Sequence, residues 1–142
     1  MSDENFMEVA IEMAKRSLEV GELPFGAVIV CNGSIIAKGN CQEKTRKTVL
    51  AHAETITVDI ACSRLGRTNL NECTIYCTNE PCVMCAAAIF QSKIARVVIG
   101  ASRDDIKFLR PRNIGLQEVA NDSGYKVEIV RGILKDKVLK LF

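Results

Sequence analysis

Apolar residues in this chain recur first with the period of a helix and then in the short runs of strands. Over residues 5–20, Phe6, Val9, Ala10, Met13, Ser17 and Val20 return every three or four positions, with Glu8, Glu12, Lys15 and Glu19 mostly elsewhere. That pattern predicts an amphipathic helix, ended by Gly21. Residues 25–30 form an apolar run rich in β-branched side chains, and Cys31 and Asn32-Gly33 separate it from residues 34–38. Asn-Gly between two such runs is a strong hairpin signal, so the first two strands are expected to be antiparallel.

The following stretch, Asn40 to Val49, is polar and basic without a period and reads as a loop. A helix is expected over residues 52–63, a third strand over 73–78, and a helix over 82–91 that Pro81 introduces at little cost in hydrogen bonds. Strands over residues 96–100 and 126–130 and a helix over 135–141 complete the chain. Helical connections between strands favour a sheet that is parallel over its third and fourth members and covered on both faces. The expectation is an α/β, three-layer α-β-α sandwich with a mixed, roughly five-stranded sheet. Segment 101–125 is the least regular part.

Length and composition narrow the class. The 142 residues, 48% of them hydrophobic, make a single domain spanning 1–142. A chain of this size buries about two-thirds of its unfolded surface, so it needs neither metal nor disulfide merely to fold. Nineteen Lys and Arg against seventeen Asp and Glu leave a net charge of only +2, too little to mark a nucleic-acid or membrane binder. No apolar run approaches the length of a membrane span, and the acidic start carries no signal-like segment, so a cytoplasmic protein is expected. The seven cysteines are an odd number in such a chain. They are expected to do metal or thiol chemistry rather than form a cystine scaffold.

The one histidine lies in Ala51-His52-Ala53-Glu54, and Pro81-Cys82-Val83-Met84-Cys85 opens a second helix. A Cys-x-x-Cys pair on a first helical turn directs both sulfurs at one ion, and the turn's unpaired N–H groups favour thiolates. With His52 as third ligand, tetrahedral zinc keeps one position open for water, which is a catalytic layout. Glu54 is then the proton acceptor and donor, not a ligand. Two competing readings are a closed structural site that recruits Cys77 with Cys73 or His52, and a redox dithiol. The strand-like run Thr74 to Thr78 makes Cys77 a core residue, and a dithiol leaves His52 and Glu54 unexplained. Cys31 and Cys62 are expected as buried thiols, and Cys41 as an exposed, oxidisable one.

Taken together, His52-Ala53-Glu54 and Pro81-Cys82-x-x-Cys85 resemble the signature of the zinc-dependent cytidine and deoxycytidylate deaminase-like superfamily. The likeness extends from about Phe6 to Phe142, through residues 21–28, 80–86 and 94–100. It implies one zinc per subunit on His52, Cys82 and Cys85, Glu54 as proton shuttle, and hydrolytic replacement of an exocyclic amine with release of ammonia. It also implies a homodimer, substrate contacts from the backbone of Ala53 and Cys82, and a hydrogen bond from Asn40 to the base or ribose.

The nearest branch holds guanine, cytosine and tRNA adenosine deaminases. Leu23 to Val28 and Pro81 to Ala88 are similar to the tRNA enzyme, and Lys44, Arg46, Lys47, Lys107, Arg110 and Arg112 are candidate phosphate contacts. The tRNA enzyme's Asp-Pro-Thr-like stretch and its Lys-Thr-Gly-Ala-Ala-Gly-like stretch are, however, replaced by residues 47–51 and 104–108. Glu43, Asp104 and Asp105 also offset the local positive charge. The expected substrate is therefore a free base or nucleoside of guanine or cytosine type. Asp104 and Asp105 are candidate readers of its donor edge, and Phe25 and Phe108 are candidate pocket aromatics. The alternatives are a tRNA-specific adenosine deaminase making inosine at the wobble position, and an inactive, zinc-stabilised binding protein.

Overall fold

A computed structural model describes residues 2–142. Its elements are α1 (Asp3–Glu19), β1 (Gly26–Cys31), β2 (Ser34–Asn40), α2 (Glu43–Arg46), α3 (Ala53–Leu65) and β3 (Cys73–Asn79). They continue with α4 (Val83–Gln91), β4 (Arg96–Ala101), a 3-10 turn (Arg103–Asp105), α5 (Leu116–Asp122), β5 (Glu128–Val130) and α6 (Lys135–Leu139). The five strands form one mixed sheet in the order β2-β1-β3-β4-β5. β1 is antiparallel to both of its neighbours, and β3, β4 and β5 run parallel.

All six residues of β1 are buried because helices cover both faces of the sheet, which is why its sequence is apolar without alternation. One face packs Ile29, Ala37, Ile75, Val97 and Ile99 under α3, α4 and α5. The other packs Val28, Val30, Tyr76 and Val98 under α1 and α6. This is the expected three-layer sandwich. The hairpin turns at Asn32 and Gly33 with φ of 52° and 80°, the doubly left-handed geometry that selects Asn-Gly.

Three features depart from the sequence reading. The polar stretch after β2 contains α2, a single turn stopped by Lys47 in the left-handed region at φ 56°. Cys31 and Cys73 are joined in a disulfide rather than standing as separate thiols. They are register partners on β1 and β3 with Cα atoms 4.3 Å apart, 42 residues apart in sequence. Only the pairing of the strands brings them together. Cys41 is buried, with its sulfur 3.9 Å from Glu22 Oε1, and burial pushes its thiol pKa up. The polarity of the surrounding loop had suggested the opposite. Cys62 is half-buried against the core, and Cys77 lies fully inside it.

Topology determines where a site can form. Because β1 is antiparallel to β2 and to β3, the latter two run the same way, and α3 and α4 begin beyond their carboxyl ends on one edge of the sheet. The start of β1 lies between them, and β4 ends on the same edge beside β3. Open α/β sheets bind ligands in such crevices.

Candidate active site

His52 and Cys82 occupy equivalent places, the extended N-cap residues of α3 and α4. The His52 backbone is held by its N–H donating to Thr55 Oγ1 at 3.2 Å, while the Thr55 hydroxyl donates to the Leu50 carbonyl. Cys85 sits three residues into the other helix end, fully buried. His52 Nδ1 lies 3.6 Å from Cys82 Sγ and 3.4 Å from Cys85 Sγ. All three potential ligand atoms lie within 4.8 Å of one another.

These separations test the zinc reading. Zinc–sulfur bonds of about 2.3 Å and a zinc–nitrogen bond of about 2.0 Å, set at a tetrahedral angle, give a nitrogen–sulfur edge of about 3.5 Å. The observed edges match it, and the donor set of one imidazole and two thiols suits zinc. The other described grouping of metal-ligating side chains, Cys31, Glu72 and Cys73, is the disulfide beside an exposed carboxylate.

The titratable groups of the cluster shift one another. The Cys85 thiol and then His52 hydrogen-bond to the Cys82 sulfur and hold its pKa down at about 3. Cys85, as the donor to that thiolate and through its burial, is pushed up. The hydrogen bond to Cys82 chiefly, with a smaller contribution from Glu43, pushes His52 up to about 9. Glu54 is 3% exposed. Burial first, and the Cys82 thiolate second, push its carboxyl up to about 7.

Two members of the cluster, His52 and Cys82, line a cavity of about 390 Å³. His52, Glu54 and Cys82 reach it together, since Glu54 is on the first turn of α3 and its side chain bends toward the same opening. Leu23, Phe25, Val49 and Leu109 give it an apolar wall, and Arg103 and Arg112 stand at its margin. Arg103 is fixed by its N–H donating to Glu80 Oε1 at 3.1 Å and by its Nε donating to the Arg110 carbonyl at 2.9 Å. Glu80 is in turn paired with Arg131 at 2.8 Å.

Other residues singled out in the sequence lie elsewhere. Asn40 ends β2 and donates from Nδ2 to the Cys41 carbonyl at 3.0 Å, outside the lining of the cavity. Ala53 is the buried first residue of α3. Asp104 and Asp105 do not line the cavity. Asp105 accepts from the Ser102 N–H at 2.9 Å and pairs with Lys135 at 3.1 Å, so its carboxylate closes the 3-10 turn. Phe108 is exposed and rests on Phe142 with ring centroids 5.5 Å apart. Sequence reading missed Glu43, whose Oε1 is 2.7 Å from His52 Nε2. It also missed Asn79, Glu80 and Arg103 as lining residues. Their position at or just beyond the ends of β3 and β4 was the available signal, because strand carboxyl ends feed the crevice.

Fold and site together define an α/β sandwich with a His-Cys-Cys cluster suited to zinc at paired helix N-termini and a buried carboxylate beside it. Residues 1–101 match the family model for the cytidine and deoxycytidylate deaminase zinc-binding region, and the chain belongs to that family.

A tRNA-specific adenosine deaminase of Bacillus subtilis is 46% identical over 99 residues, covering 70% of this chain and 62% of that protein. The match thus spans a little under two-thirds of that relative. A structure from work on A-to-I editing by tRNA:A34 deaminases at the wobble position of transfer RNA superposes with a TM-score of 0.84 at 29% identity. It covers 97% of this chain and 99% of that one. Guanine deaminase from Bacillus subtilis superposes with a TM-score of 0.72 at 33% identity, covering 89% and 72%.

Proposed function

We propose that the chain is a zinc-dependent hydrolytic deaminase acting on an adenosine within a tRNA loop, where water replaces the exocyclic amine to give inosine and ammonia. The observation that carries the choice of substrate is the pair Arg103 and Arg112 at the cavity margin. A free base presents no phosphate to these cations, whereas a nucleotide inserted from a polynucleotide brings its flanking phosphates to them. The preference for a free base drawn from the sequence rested on the replaced stretches 47–51 and 104–108 and on Glu43, Asp104 and Asp105 offsetting the local positive charge; of these acids, Asp105 is engaged by Ser102 and Lys135 and Glu43 by His52. Similarity to tRNA-specific adenosine deaminases supports the same choice.

His52, through Nδ1, and the sulfurs of Cys82 and Cys85 would hold the zinc, which supplies a Lewis acid able to make water nucleophilic at neutral pH. Glu54 carries two protons in turn, the first from the attacking water to the ring nitrogen, where it stays, and the second from the hydroxyl newly bonded to the base to the departing amine, which leaves as ammonia. Leu23, Phe25 and Val49 hold the flat faces of the base away from bulk water. The first-turn N–H groups of α3 and α4 favour negative charge developing at the cavity floor. A buried Glu54 beside the ligand cluster has no use in an inactive, zinc-stabilised binding protein.

A free guanine-type base is the second reading, favoured by the likeness to guanine deaminase. One assay separates the two. Zinc-loaded protein is given an anticodon stem-loop RNA with adenosine at the wobble position, and in parallel guanine, cytosine, adenine and their nucleosides. The expected result is inosine in the RNA, suppressed by added salt, with no ammonia from the free compounds. Ammonia from a free base, with untouched RNA, would overturn the proposal.

A further inference from the structure

The polar segment between β2 and α3 carries a contact that the proposed chemistry has not used. α2 is one turn long, yet it is fastened from outside. Glu22, 4% exposed in the connection between α1 and β1, accepts from the backbone N–H of Thr45 at 2.7 Å and of Lys44 at 3.2 Å. It accepts from the Thr45 hydroxyl at 2.8 Å as well. The first residue of that turn is Glu43, whose Oε1 lies 2.7 Å from His52 Nε2.

The two nitrogens of His52 therefore face opposite partners, Nδ1 the two sulfurs and Nε2 a carboxylate. A neutral imidazole carries one proton, and a carboxylate can only accept. In the neutral imidazole that metal binding requires, the acceptor oxygen of Glu43 therefore selects the tautomer with the proton on Nε2 and leaves the Nδ1 lone pair facing Cys82 and Cys85.

We infer that Glu43 is the positioning residue for His52, selecting its metal-binding tautomer and ring orientation, with Glu22 holding α2 in place. Carboxylates on the far nitrogen of a ligating histidine set its orientation and raise its basicity, and their loss typically costs 10- to 100-fold in metal affinity. The inference rests on the zinc cluster and is independent of the substrate.

The test reads zinc binding without substrate. Zinc affinity is measured by chelator competition for the wild-type chain, Glu43→Ala and Glu43→Gln, and the His52 ring is followed by 15N NMR in the zinc-loaded proteins. Glu43→Ala is expected to weaken zinc by 10- to 100-fold and to lose the slowly exchanging Nε2 proton. Glu43→Gln keeps an acceptor oxygen, so it should restore that proton and most of the affinity. Affinity within about twofold of wild type in Glu43→Ala, against the 10-fold minimum expected, would overturn the inference. So would equal losses in the two variants, since these would make Glu43 only a prop for α2. A wild-type chain that takes up no zinc would overturn the zinc site along with it, which keeps the two failures distinct.

Discussion

Glu54 is a carboxylate held 3% exposed at the floor of a cleft, where an unassigned acid would be a burden to folding. Glu54→Gln preserves shape but removes the proton acceptor. It should keep stoichiometric zinc by metal analysis while inosine formation falls by at least about 100-fold, in line with the usual contribution of a positioned acid–base group. His52→Ala, by contrast, should lose zinc itself. These residues were legible in the sequence because each motif is short and lies on a single helix start, so spacing alone nearly fixes geometry. Glu43 was not legible, because its nine-residue separation from His52 is closed by a turn whose placement depends on Glu22. Cys31 and Cys73 were opaque for the same reason, their meeting being a property of strand register.

At the level of elements, the ligands depend on how closely α3 can approach the hairpin. A Cβ on Gly39 of β2 would collide with the Thr57 hydroxyl and stand 3.0 Å from the Ala53 carbonyl, both on the α3 face that follows His52. Gly39→Ala should therefore push the start of α3 outward. The expected cost is about 1–3 kcal/mol, the range for an overpacked interior, seen as a lower urea midpoint with weaker zinc binding. The long elements were readable from periodicity and turn chemistry, with ends displaced by a residue or two. α2 was not, since four residues show no period, and β5 is shorter than its apolar run because only Glu128–Val130 meets β4.

Across the whole molecule, Asp3 binds the start of the first helix to β3 and β4. Arg96 donates to its two carboxylate oxygens at 3.0 and 2.8 Å, and the Tyr76 hydroxyl donates at 2.7 Å. The Arg96 guanidinium holds the Asp3 pKa below the usual carboxylate range, against burial. A carboxylate depressed in the folded state contributes its stability above the unfolded pKa and loses it as pH falls through the folded one. Asp3→Asn should thus be less stable at neutral pH, with a shallower loss of stability on acidification, as read from urea midpoints over the acid range. Zinc acts on the same equilibrium. Free zinc at 1,000 times its Kd should add about 4 kcal/mol, reversed by chelator. The arrangement of ligands gives this ion a further role. His52 is delivered by the half of the chain that carries the hairpin, and both cysteines by the half that begins with β3. A cut in the exposed turn before β3, with the Cys31–Cys73 disulfide reduced, would leave neither piece with the full ligand set, so uptake of zinc would report directly that the two halves had found each other.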